Sequence, residues 1–363
     1  MSSIKTYIIM LAFTLLFAYL WQQADIKESN CESIGRKILS YGFAFLAFLP
    51  MYLINATMTY VGTDYKEYYR YYTQLSPEST WHMDVAFETI CKILKSFNMD
   101  FQTVYFVICL IGYVLLLLCV KKYSEKYWQS YFWYFMFTYF FLLGMNLIRQ
   151  FVAMMIVWYG ISYIEEKKFI KYLICVLIAT SFHFTAIIML PFYFIFNKKL
   201  KLSLIALATV IAVPINFVFT EVLTWLFKMF KPSYLNTNYI AKSFEVDVPY
   251  VGVCLITILL IVLYFNKIYQ EGQTGKAKYN PIFVNSVFVG AFIVLFCTWL
   301  PIYKRFAVYF LFPGMFLIPN ILQNEQRKPV RIALNILQFL LCLFYLVRYI
   351  PHWDVLPYRS VLF

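Results

Sequence analysis

Residues 101–120, FQTVYFVICLIGYVLLLLCV, form an unbroken apolar run that ends on Lys121 and Lys122. Twenty residues at about 1.5 Å each make a helix of about 30 Å, the thickness of a bilayer's hydrocarbon core. A helix apolar on every face has no side to turn toward water, so this run is predicted to cross a membrane. Comparable runs recur near 5–21, 38–56, 128–143, 146–163, 202–219, 249–266, 281–300, 305–322 and 331–349. One stretch, 169–197, is too long for one straight crossing and short for two. Lys167, Lys168 and Lys171 precede it, and Lys198, Lys199 and Lys201 follow it. That bracketing predicts a chain that enters the membrane, turns near Ser181, Phe182 and His183, and returns as two half-length helices of about 20 Å each.

The composition agrees. Of 363 residues, 62% are hydrophobic and 13% charged, about half the charged fraction of an ordinary soluble domain. A soluble globule is excluded, and the fold class expected is all-α: one polytopic membrane domain, 1–363, with about 11–12 transmembrane segments including the broken helix pair. The first apolar run lacks a small-residue cleavage site and is expected to remain as a span. Of the eight cysteines, six lie in apolar segments, and Cys31 and Cys91 are read as lying in separate loops without C-x-x-C spacing. Neither disulfides nor a metal site is predicted. No phosphate-binding Gly-rich loop and no internal repeat is visible.

Lys and Arg exceed Asp and Glu by 31 to 18, a balance that first suggests nucleic acid or anionic lipid. Placement points elsewhere, because the cations cluster in short loops between apolar runs. Loops 22–37, 121–127, 164–171, 197–201, 267–280 and 323–331 carry three basic residues each, 18 in all, and the other 13 are spread over much longer stretches. Under the positive-inside rule those loops are cytoplasmic and both termini are external. Two longer external segments follow, 57–100 and 220–248, with amphipathic stretches suited to a membrane surface.

An ionisable group within hydrocarbon costs several kcal/mol, so the few at span ends are where function is sought. They are Arg149, His183 and Arg305, together with Asp64 in Gly62-Thr63-Asp64 just past the second span. The topology drawn from other residues puts all four at the external lip. Two guanidinium groups, an imidazole and a carboxylate there suit an anionic lipid-linked group with a general base nearby. Plainer fates exist for each. The arginines can snorkel to headgroups. His183 can simply mark a helix break. Thr63 or Asp64 can cap helix 65–72. Tyr65, Tyr68, Tyr69 and Tyr72 share one helix face, which fits an interfacial aromatic belt better than sugar stacking.

Gly62-Thr63-Asp64 with trailing tyrosines, then Arg149-Gln150, then Phe182-His183 in an apolar hairpin, resembles the EpsG family of Wzy-like polysaccharide polymerases. Lys304-Arg305 followed by Tyr309, and a closing Pro357-Tyr358, keep the same order. The resemblance implies a metal-independent bacterial membrane glycosyltransferase of GT-C-like fold that needs no cofactor. Its substrates would be oligosaccharide units on undecaprenyl diphosphate, joined outside the cytoplasmic membrane with release of undecaprenyl diphosphate. The partners implied are those lipid-linked donors and acceptors, membrane lipid, a chain-length regulator and a flippase, with no nucleic acid. Arg149 and Arg305 are expected to stabilise the departing diphosphate. His183 or Asp64 would serve as base, and Gly62, Thr63, Tyr65, Tyr68, Tyr69, Gln150, Lys304, Tyr309 and Tyr358 would line the substrate site. An O-antigen ligase and a lipid-linked oligosaccharide flippase are the competing expectations. A flippase would carry charges at several depths along its spans, and here the midspans are almost uncharged.

Overall fold

A computed structural model describes residues 2–29, 34–76, 78, 82–136, 140–198, 225, 228–229, 248–264, 268, 275–297, 303–323, 325–349 and 354–362. The expected span 202–219, most of segment 220–248, and Cys31 lie outside the described residues. The architecture is all-α, and among the described residues five helices are long and apolar enough to cross a membrane. The described chain divides into two compact units, Met1–Leu190 with Met315–Phe363, and Pro191–Gly314.

The first unit is built on α1 (Ser2–Ser29), α2 (Ile34–Ala56), and, after α3 (Tyr65–Gln74) and α4 (Val85–Ser96), α5 (Phe101–Tyr123). At about 1.5 Å per residue, the 23 residues of α5 are long enough to cross the hydrocarbon core. Asp100 begins α5, its carboxylate accepting from the Thr103 N–H at 2.9 Å. Helix α1 runs well past the expected 5–21. Its polar last turns are held at the far end of α5, where Gln22 donates to Glu125 O at 2.8 Å and accepts from Tyr127 N at 3.1 Å. Trp21 packs on Tyr127 there, ring centroids 4.3 Å apart. A buried polar residue satisfied on both sides can remain helical beyond the apolar run.

Next come α6 (Tyr127–Met136), α7 (Phe140–Asn146), α8 (Ile148–Gly160), α9 (Ser162–Glu165) and α10 (Phe169–Phe182). Helices α5 and α8 run in the same direction. A Cβ on Gly112 would lie 2.5 Å from the Phe151 ring, so glycine is what allows the two backbones to approach so closely. The Tyr123 hydroxyl closes the basic end of this pair, donating to Tyr159 O at 3.1 Å. The expected start of a span at residue 146 is corrected to Ile148, because Leu147, at φ −97° and ψ 54°, interrupts the helix.

The 169–197 hairpin forms, with one arm different from expectation. Helix α10 ends at Phe182, and His183 is fully extended at φ −155° and ψ 116°. The return arm is a 3₁₀ helix, Phe184–Phe192, ahead of a one-turn α11 (Tyr193–Phe196). β-Branched Thr185, Ile187 and Ile188 crowd an α-helix, and Pro191 removes a donor from it. The arms are tied by the Tyr172 hydroxyl, which donates to Met189 O at 2.9 Å.

In the second unit, α11 is followed by α12 (Val248–Leu263), α13 (Asn280–Phe296) and α14 (Tyr303–Leu311). Asn285 donates to Phe196 O and Lys198 O, both at 2.7 Å, and Ser286 donates to Phe310 O at 2.7 Å. The chain returns to the first unit through α15 (Gly314–Gln323) and α16 (Lys328–Tyr349). Residues 354–362 then lie along the segment that follows α2. Met58 and Ser360 form an antiparallel bridge, and Thr59 N donates to Arg359 O at 3.0 Å.

Candidate functional site

The site is assembled at the end of α5 that carries Phe101, beginning with the loop between α2 and α3. Gly62 has φ +82°, a conformation that glycine adopts without cost. That turn presents the Thr63 N–H to Asn146 Oδ1 at 2.6 Å, with the Thr63 hydroxyl on the same oxygen at 3.1 Å. Asn146 also donates to Leu142 O at 3.1 Å, so the last turn of α7 holds the loop. Asp64 occupies the N-cap position of α3, but its side chain makes no cap bond. The plainer reading of Asp64 as a cap is therefore not met: the carboxylate accepts from the Tyr68 hydroxyl at 3.5 Å and shares the one Thr63 hydroxyl hydrogen with Asn146 Oδ1, each at 3.1 Å.

Arg149, on the first turn of α8, lies against the rings of Tyr68 and Phe87, at 5.2 and 5.6 Å from their centroids. Its Nη1 forms an ion pair with Asp84, and the two side chains are 19% and 20% exposed. The other Asp84 oxygen accepts from the Phe184 N–H at 3.3 Å. One carboxylate thus joins α4, the start of α8 and the apex of the hairpin. His183 is the residue before that N–H, and its Nδ1 is 2.6 Å from Thr185 Oγ1. Asp64 and the Tyr68 hydroxyl stand within electrostatic range of the guanidinium. Three residues singled out from sequence, Asp64, Arg149 and His183, therefore gather in one region, linked through Tyr68 and Asp84.

Asp84 itself was missed. It precedes an amphipathic helix and looks like an N-cap, and its partners lie 65 and 100 residues away. The signal available was general: a guanidinium at a span end calls for a carboxylate. Six acidic residues in segment 57–100 would have met that need equally well.

The other expected residues divide. Tyr65 is buried, packed on Phe101 and Tyr105 at 5.3 and 5.0 Å, and its hydroxyl donates to Gln102 Oε1 at 3.3 Å. Tyr72 is likewise buried and donates to Met99 O at 2.6 Å. The tyrosine face of α3 is therefore turned largely against α5, and of the four only Tyr69 remains exposed. Gln150 is fully buried. Tyr358 donates to Ile54 O at 3.0 Å and holds the closing segment on the end of α2. Lys304, Arg305 and Tyr309 belong to α14 in the second unit, Tyr309 fully buried and the two cations half-buried. Cys91, read as a loop residue, is buried on α4, on the face that also carries Phe87.

Electrostatics around α4 supports the same arrangement. Glu88 takes hydrogen bonds from Lys92 at 2.5 Å and from the Met83 N–H at 3.2 Å. The Lys92 ammonium, ahead of the opposing effect of burial, holds its carboxyl down at about 2. Burial and the neighbouring Glu88 carboxylate push the Tyr71 phenol well above its usual range. Among the described residues, no group of three or more His, Cys, Asp and Glu side chains could hold a metal ion.

A model of the EpsG family matches residues 41–360. The chain belongs to the EpsG family. EpsG proteins are Wzy-like polysaccharide polymerases, and the matched stretch includes every residue of the site just described. No curated protein and no solved structure matches the chain.

Proposed function

We propose that this EpsG protein joins oligosaccharide repeat units carried on undecaprenyl diphosphate, on the outer side of the bacterial cytoplasmic membrane. Family membership supports a polysaccharide polymerase. The observation that carries the finer assignment is the Asp84 carboxylate, which holds the Arg149 guanidinium beside the hairpin apex where His183 stands.

In this mechanism the growing glycan is the donor and a hydroxyl of a second lipid-linked unit attacks its anomeric carbon. Negative charge builds on the departing diphosphate, and Arg149 answers it with fixed, charge-assisted donors. With Nδ1–H donating to Thr185 Oγ1, the lone pair on His183 Nε2 takes the acceptor's proton. Asp64, tied to Tyr68, orients the acceptor sugar. A single displacement inverts the anomeric configuration, and a product that retained it would reject that step. Arg305, at the head of α14, is proposed as a second phosphate contact from its place in the sequence motif.

The test is incubation of the purified protein with a defined undecaprenyl-diphosphate oligosaccharide, without added metal. A ladder of longer glycans is expected. Arg149→Ala and Arg305→Ala should each abolish it, since removing one charge-assisted donor costs about 3–4 kcal/mol of barrier, on the order of a hundredfold to a thousandfold in rate. His183→Ala should do so by removing the base, worth about a hundredfold to ten-thousandfold. Single-unit transfer without a ladder refutes polymerisation. Normal ladders from all three variants refute the site.

A further inference from the structure

We propose that Asp84 is the positioning residue of this site, setting the distance between the phosphate-binding guanidinium and the base. The inference rests on the proposed function and adds a residue to it. Asp84 has the extended backbone of an N-cap, φ −62° and ψ 139°, yet its side chain makes no cap bond. An N-cap carboxylate ordinarily accepts from the first turn of its own helix, a contact worth about 1 kcal/mol. Here it turns outward instead, one oxygen to Arg149 Nη1 and the other to the Phe184 N–H. Glu88, one turn on, makes the helix-start contact with the Met83 N–H.

Helix α4 also supplies Phe87, whose ring lies 5.6 Å from the guanidinium and 5.4 Å from the Tyr68 ring. Carboxylate and ring thus come from one helix and hold one cation. Arg149 Nε is buried with no hydrogen-bond partner among the described residues, so the ion pair with Asp84 at Nη1, together with the Tyr68 hydroxyl, fixes how the planar group faces. An arginine at a span end otherwise follows its long stem toward lipid phosphates. Asp84 prevents that, and through Phe184 it holds His183 at a constant spacing from the charge.

The test uses the purified full chain carrying Asp84→Ala, Asp84→Asn or Asp84→Glu, with ladder initial rates normalised to monodisperse protein. Asp84→Ala and Asp84→Asn should lower kcat about tenfold to a hundredfold, by analogy with the loss of a carboxylate that orients a metal-bound imidazole. KM for the lipid-linked oligosaccharide should move less than kcat, because the guanidinium that Asp84 orients meets the standing charge of the diphosphate in both states and the further charge on the leaving oxygen only in the transition state. Asp84→Glu, which keeps both acceptor oxygens, should restore most of kcat. A residue that merely held the fold would change the yield of monodisperse protein and leave normalised kcat alone. Wild-type kcat in Asp84→Asn, or no recovery in Asp84→Glu, overturns the proposal, and those two variants decide even where Asp84→Ala fails to fold. An inactive Arg149→Ala beside a fully active Asp84→Asn removes only the role of Asp84. A fully active Arg149→Ala removes the functional assignment beneath it.

Discussion

Replacing Gly62 with alanine should unseat the loop that carries Asp64. At φ +82° an L-residue pays about 1–2 kcal/mol for the left-handed conformation. The added Cβ would also lie 2.6 Å from Asn146 Oδ1. That oxygen ends a short side chain and can rotate away, but in doing so it gives up the Thr63 N–H and the Thr63 hydroxyl. Two hydrogen bonds at about 0.5–1.5 kcal/mol each bring the total to about 2–5 kcal/mol. For a body the size of the first unit, that lowers the melting temperature by roughly 4–20 °C. Because the clash and the broken hydrogen bonds share Asn146, adding Asn146→Ala to Gly62→Ala should cost less than Asn146→Ala does alone, the remainder being the bond to Leu142 O and the packing of a buried side chain. The assays are thermal unfolding in detergent and the glycan ladder, whose rate should fall as the Tyr68 ring leaves Arg149. A Gly62→Ala protein with unchanged melting and rate, or strictly additive effects in the pair, would refute the account.

Two further outcomes follow from α4. Burial pushes the Cys91 thiol up to about 12, so at pH 8 it should resist a maleimide that labels it readily after denaturation, as read by peptide mass spectrometry. Glu88 is held below its ordinary value of 4.5, down to about 2. The stability it contributes is complete above the unfolded value and is lost as pH falls from 4.5 toward 2. The melting difference between wild type and Glu88→Gln should therefore be largest at neutral pH and shrink across that window. A difference that stayed constant to about pH 3 would contradict the Lys92 assignment.

Much of the fold was legible because hydrocarbon is an undemanding reader: a run such as 101–120 has one stable destination. Boundaries were less so. Gln22 extends α1 by bonding to residues near 125, and no local pattern announces a partner a hundred residues away. The rarity of ionisable groups picked out Asp64, Arg149 and His183, and the loop, helix start and hairpin apex do converge. What periodicity could not tell was the direction of a face. The tyrosines of α3 share one side as their spacing requires, but that side is turned mainly against Phe101 and Tyr105. Asp84 was hidden for the same reason as Gln22, since a carboxylate before a helix reads as a local cap until the tertiary partner is seen.

The segment 354–362 has a consequence for genetics. Gly62 donates to Asp354 O at 2.8 Å, Thr59 to Arg359 O at 3.0 Å, and Val361 to Thr57 O at 2.9 Å. A nonsense codon at position 354 would strip these ties from a turn nearly three hundred positions upstream. Such an allele should behave like a lesion in Gly62-Thr63-Asp64 itself, and second-site revertants of either defect should map to the other.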